Sequence, residues 1–222
     1  MHFIYETEKE DEKCIFASIF QINLEFFYDK LYVKIKHKTK RMIRMQIRPK
    51  VSEYNSYYAT YTNLVSDGNI IHILEQQMKE TNLLLKGISN SEGLFRYAPT
   101  KWSIKEVIGH IADTERIMAY RLLSIARGET AELPGYNDDM YVLRAVFDKQ
   151  SMQDLLENLI VVRQSTLYLL RSLDKEAWSQ RGNANNSEVT VRALAYIIAG
   201  HELHHLQIIK ERYLGSDAYP AT

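Results

Sequence analysis

The stretch Lys101-Trp102-Ser103-Ile104-Lys105-Glu106-Val107-Ile108-Gly109-His110-Ile111-Ala112-Asp113 decides the fold. Ser103 and Glu106 form a capping box: the serine oxygen accepts from the amide three residues on, and the glutamate reaches back to the serine amide. Behind it Ile104, Val107, Ile108, Ile111, Met118, Leu122 and Ile125 recur at steps of three and four, up to Gly128. That is the period of one buried helix face.

Three further stretches share the period. Ile70, Ile73, Leu74, Met78, Leu84 and Leu85 mark a helix over about 69–86, with Ser66 and Asp67 as capping candidates and Gly87 as its stop. Met152, Leu155, Leu156, Leu159, Val162, Leu169 and Leu170 mark a third helix that begins near Ser151. The fourth runs from Thr190 to Tyr213, ahead of Gly215. Helices of roughly 18–25 residues in this number predict an all-α four-helix bundle. The connection from Gly128 to Gln150 is long, carries Pro134-Gly135 and a short helical pattern near Asp138–Arg144, and permits a crossover between helices two and three. The segment 174–189 reads as a long loop carrying Gly182, Asn183, Asn185 and Asn186, and Tyr54, Tyr57, Tyr58 and Tyr61 as a short turn packing its rings on the bundle.

Composition narrows the function classes. The 28 Lys+Arg balance 28 Asp+Glu, so bulk binding of nucleic acid, which needs a basic surplus or patch, is not expected. The single cysteine, Cys14, excludes a disulfide framework and a Cys-rich zinc site, and fits a reducing, cytoplasmic setting. No apolar run approaches the roughly 18–20 residues of a membrane span.

Residues 1–44 differ from the rest. Five of the seven Phe fall in the first 27 residues, and nine Lys/Arg with no acid lie between Lys30 and Lys50. The segment is expected to be an atypical extension, either disordered or an upstream-start artefact given Met42 and Met45 at the seam, with the bundle domain spanning 45–222. A basic arm for an anionic partner is the functional alternative; a solvated charge run is the plainer reading.

The histidines carry the chemistry. On helix four, Val191, Leu194, Ile198, His201, His205 and Ile208 form one stripe, so two imidazoles stand where the helix elsewhere places apolar residues. They lie about 40° apart on one face, and His204 lies about 60° from His201 on the other flank. Spacing alone leaves a hydrogen-bonded core pair and a metal site equally open. A metal needs a third ligand. His110, beside the apolar face of helix two, is the best-placed candidate, whereas His72 lies on an outward line. His201-Glu202-Leu203-His204-His205 also matches H-E-x-x-H, but little chain follows to supply a protease's downstream ligand. Trp102 and Trp178 read as anchors of helix ends, and Arg116, Arg121 and Tyr196 are too generic to assign.

The stretch Lys101–Arg116, the segment Leu133-Pro134-Gly135-Tyr136 and the run Ala199–His205 together resemble the DinB-like family of metal-binding four-helix bundles. The resemblance covers about 48–214 and leaves 1–44 without a counterpart. It implies a metal triad of one histidine in helix two and an H-x-x-x-H pair in the last helix, here His110, His201 and His205. It also implies one divalent ion per chain, zinc first and nickel or another transition metal as alternatives. Family members include S-transferases using bacillithiol-type thiols and proteins described as metal-dependent hydrolases. The leading expectation is therefore transfer of a small-molecule thiol to an electrophilic substrate, by a homodimer with no nucleic-acid or membrane partner. The alternatives are hydrolysis by a metal-activated water, with Glu202 or Asp113 as candidate bases, and a non-catalytic metal-stabilised bundle.

Overall fold

The computed structural model describes residues 48–220. The expectation for residues 1–44 lies outside them. The described residues begin with two 3-10 segments, Val51–Glu53 and Ser56–Tyr58, and a single α-turn, α1 (Ala59–Thr62). The four long helices follow as α2 (Ile70–Leu85), α3 (Ile104–Ala126), α5 (Met152–Ser172) and α6 (Val191–Ile208). The short helix α4 (Asp138–Ala145) sits in the connection between α3 and α5.

Helix α3 starts as its sequence dictates. Ser103 Oγ accepts from the Glu106 amide at 3.0 Å, and Glu106 accepts from the Ser103 amide at 2.8 Å. The cap of α2 differs from expectation. Neither Ser66 nor Asp67 serves; Asn69 accepts from the amides of Ile71 and His72. Asp67 instead takes the Arg48 guanidinium at 3.0 Å, and Gly68, at φ 147°, breaks any earlier helical start.

Helices α3 and α2 each pack against both α5 and α6, so α2 faces α3 across the bundle diagonal. Ile104, Ile108, Ile111, Leu155, Leu159, Leu206 and Ile209 meet in one core. Each such side chain, fully buried, contributes about 1.5–3 kcal/mol. The last helix does not stay α-helical to its end: Ile209–Leu214 form a π-helical turn.

The segment 174–189 is more ordered than a loop. It holds strands β1 (Arg181–Ala184) and β2 (Ser187–Thr190), paired antiparallel with Arg181 opposite Thr190 and Ala184 opposite Ser187. Asn185 and Asn186 have φ 55° and 59°. Two left-handed residues make the tight turn whose twist suits a hairpin, and Asn tolerates that conformation. The hairpin pins the crossover, because Leu133 donates to the Asn183 carbonyl and accepts from the Asn185 amide, both at 2.9 Å.

A polar network joins all four long helices inside this apolar frame. Arg163 of α5, 1% exposed, binds Glu115 of α3 through Nε at 2.8 Å and Nη2 at 2.8 Å. Its Nη2 also reaches Glu202 of α6 at 2.6 Å, and Nη1 donates to the Leu74 carbonyl of α2. Thr81 of α2 donates to the other Glu202 oxygen at 2.6 Å.

Candidate metal centre

His110 projects from the middle of α3, and His201 and His205 project from successive turns of α6. The packing of α3 on α6 brings the three rings together, with centroids 4.5–4.9 Å apart. His201 Nε2 lies 3.0 Å from His110 Nε2 and 3.2 Å from His205 Nε2. His110 and His201 are buried; His205 is half-buried.

Glycines permit the close approaches that hold this arrangement. A Cβ on Gly200 would stand 2.1 Å from the Tyr61 carbonyl oxygen, so α1 could not seat there. A Cβ on Gly109 would meet the Phe147 ring at 2.4 Å. Each glycine precedes a cluster histidine in the chain.

The donor set suits a cation. Burial pushes the His110 imidazole down to about 4 and His205 down to about 3, with neighbouring His110 and His204 adding to the latter, and holds His201 well below its ordinary value. All three are therefore neutral near pH 7. A neutral imidazole Nε2 is either one donor or one acceptor. His201 Nε2 cannot bond both of its neighbours at once, so hydrogen bonding within the cluster leaves one nitrogen unsatisfied. Tetrahedral zinc with Zn–N near 2.0–2.1 Å would place its ligand nitrogens roughly 3.3 Å apart. The two close separations match that spacing, and three protein ligands leave a fourth position open.

The surroundings were only partly legible in the sequence. Trp102 walls the site, its ring 4.6 Å from His110 and stacked toward His205 at 6.5 Å. Its carbonyl also accepts from the Tyr213 hydroxyl at 2.7 Å, so it anchors helix ends as well. Tyr61 sets its ring edge-on at 5.4 Å from both His201 and His204, so the tyrosine-rich turn reaches the site rather than merely covering the bundle. His204 is half-buried beside His205 and does not join the group of three. His72 is exposed on α2, 3.6 Å from Glu75.

Neither candidate base joins the cluster. Glu202 is consumed by Arg163 and Thr81, about 100° around α6 from His201. Asp113 pairs with Arg116 at 3.1 Å; burial raises its pKa and Arg116 opposes that. The H-E-x-x-H reading therefore fails on geometry.

A family model described as the DinB superfamily matches residues 73–209. The chain belongs to the DinB superfamily. Two solved structures are similar to the chain at low identity. YfiT from Bacillus subtilis, described as a probable metal-dependent hydrolase with an unusual four-helix bundle topology, is 17% identical over 77% of this chain and 94% of its own, with TM-score 0.60. The DinB-like protein YjoA from Bacillus subtilis is 21% identical over 69% of this chain and 96% of its own, with TM-score 0.48. No curated protein matches the chain. No helix among the described residues is long and apolar enough to cross a membrane.

Neutral buried histidines make the stability of this DinB-superfamily chain depend on pH in a defined direction. Below about pH 6.5 the unfolded chain takes up protons that the folded cluster refuses. Stability of the metal-free protein is thus complete above pH 6.5 and falls as pH drops toward the folded values near 4 and 3. The slope is at most about 1.4 kcal/mol per pH unit for each histidine. Urea unfolding of chelator-treated protein between pH 7 and 5 measures it, above the range where carboxylates titrate. A His205→Gln variant should show a shallower slope.

Proposed function

We propose that this chain is a divalent-metal-dependent enzyme that transfers a low-molecular-weight thiol to an electrophile, with His110, His201 and His205 as ligands. The observation that carries this reading is a cluster of three neutral imidazoles to which no carboxylate of the described residues is bonded. A divalent ion held there would supply positive charge that lowers the pKa of a thiol or of water. A thiol starts near 8.5 and needs little more help, whereas hydrolysis gains most from a positioned base. Trp102 and Tyr61 set apolar ring surface against the cluster, 4.6 Å from His110 and 5.4 Å from His201. The chain's one cysteine, Cys14, lies outside the described residues and has no part in the proposal.

The thiol gives up its proton to solvent, and the reaction then forms a carbon–sulfur bond and breaks the bond to a leaving group, such as carbon–halogen in a haloarene, while the three imidazoles remain neutral. Zinc is the first choice of ion, with nickel or another transition metal next. A cytoplasmic homodimer is the proposed form; sedimentation would establish the assembly.

Hydrolysis is the second reading. Two observations favour it: the description of YfiT, and Asp138, whose charge acts on His110. The two readings separate in one experiment. Metal-loaded protein is given a haloarene with and without cysteine or bacillithiol, and an aryl ester with and without the same thiol. Conjugation should require both metal and thiol, rise with pH and level off below the free thiol's value of about 8.5. Metal-dependent ester hydrolysis that proceeds equally without thiol would replace the transferase reading with the hydrolase.

A further inference from the structure

Two arginines of the bundle are almost fully buried, and they are treated differently. Arg163 is 1% exposed and meets two carboxylates. Arg121 of α3 is 3% exposed, yet among the described residues no carboxylate pairs with it. Its Nη2 donates to the Pro134 carbonyl at 2.7 Å, and its Nη1 faces the Met118 sulfur at 3.5 Å, a weak acceptor. A buried charge without a counter-charge is costly, and one carbonyl does not neutralise a guanidinium with five N–H donors. Pinning the crossover loop at Pro134 would need only a neutral donor.

Among the described residues the Arg121 Nε has no hydrogen-bond partner. Arg121 lines a cleft of about 280 Å³ together with Arg116, Ile117, Leu133, Tyr136 and Tyr141. Arg116 at this cleft is already held by Asp113 at 3.1 Å and by Asn158. One uncommitted positive charge therefore faces the space. The remaining walls are apolar and aromatic, with the Tyr136 and Tyr141 rings 5.2 Å apart. The Tyr136 hydroxyl bonds Thr114 at 2.8 Å, one helical turn along α3 from His110.

We propose that Arg121 anchors a carboxylate-binding site in this cleft, taking a small organic acid with a flat apolar body. One unpaired charge matches a monoanionic carboxylate, which a guanidinium fork grips through two parallel bonds. A phosphate dianion would call for a second free cation, which the described residues of the cleft do not supply. Tyr136 and Tyr141 offer the faces for the apolar part. An acid held at Arg121 extends past Tyr136, the residue that links the cleft to the turn of α3 below His110.

The test reads binding rather than turnover, so its outcome is independent of the reaction proposed above. Phenylacetate and its neutral isostere phenylacetamide are titrated into the full-length protein, followed by methyl chemical shifts of Ile117 and Leu133. The acid should shift both methyl sets and bind at least about tenfold tighter than the amide. The same shifts should persist after chelator treatment, which separates this site from carboxylate ligation at the histidines. Arg121→Met should abolish the preference for acid over amide. The shift map on unaltered protein decides the matter even where that variant fails to fold. Equal binding of acid and amide, no shift at Ile117 and Leu133, or binding that vanishes with the metal would overturn the site.

Discussion

Replacing His201 by alanine is expected to strip the divalent ion from the protein altogether. His201 is the central member of the cluster, its Nε2 lying 3.0 Å from that of His110 and 3.2 Å from that of His205. Its loss leaves two nitrogens and a gap between them. Removing a partner that merely orients a ligand lowers metal affinity roughly 10–100-fold, and losing a ligand from a three-imidazole site should exceed that. His110→Ala and His205→Ala should behave alike. His204→Ala should retain the ion, because its ring stands against Tyr61 and His205, outside the group of three. Elemental analysis of purified proteins checks this, with about one divalent ion per chain in the parent. Loss of the ion from His204→Ala but not from His201→Ala would refute the assignment.

The second large effect lies in the frame. Arg163→Met should destabilise the protein by about 3–5 kcal/mol, the usual loss when one partner of a buried ion pair is removed. Two carboxylates, on Glu115 and Glu202, then face each other in the core without a counter-charge. Relief is predictable as well. Arg163→Met combined with Glu115→Leu and Glu202→Leu should regain much of the lost stability, since apolar side chains of similar volume need no desolvated charge. Denaturant unfolding of the three proteins measures both. Because Glu202 immediately precedes Leu203 on α6 and follows His201, the single variant should also loosen the histidine cluster. Metal content falling with stability, and returning in the triple variant, would show that the network orients α6. A loss under 1 kcal/mol in the single variant would contradict the account.

The helices were legible because their signals are local. A capping box, a three-and-four apolar period and a terminal glycine specify α3 within one stretch of chain, and its observed span begins one residue after Ser103. The hairpin escaped notice because its strands have four residues each and no sustained alternation; the pair Asn185-Asn186 was the available signal. The cap of α2 is Asn69 rather than Ser66 or Asp67, because Asp67 has a distant partner, Arg48, which no local rule reveals.

The site divides in the same way. His201 and His205 share one face of α6 by helical geometry alone, and the sequence places His110 beside the apolar face of α3. What the other side chains do depends on contacts across the bundle. Glu202 looks like a metalloprotease base in sequence, but Arg163, 39 residues away, claims it. Tyr61 reaches His201 only because Gly200 lets α1 lie against α6. Arg121 is an ordinary arginine until the Leu133–Pro134 loop folds over it and, among the described residues, no carboxylate pairs with it. Sequence by itself determined the helices, their buried faces and the shared face of His201 and His205, since these follow from periodicity within one element. Tertiary structure decided which charges are paired and which are left facing a cleft, because pairing depends on residues far apart in the chain meeting in a low-dielectric interior.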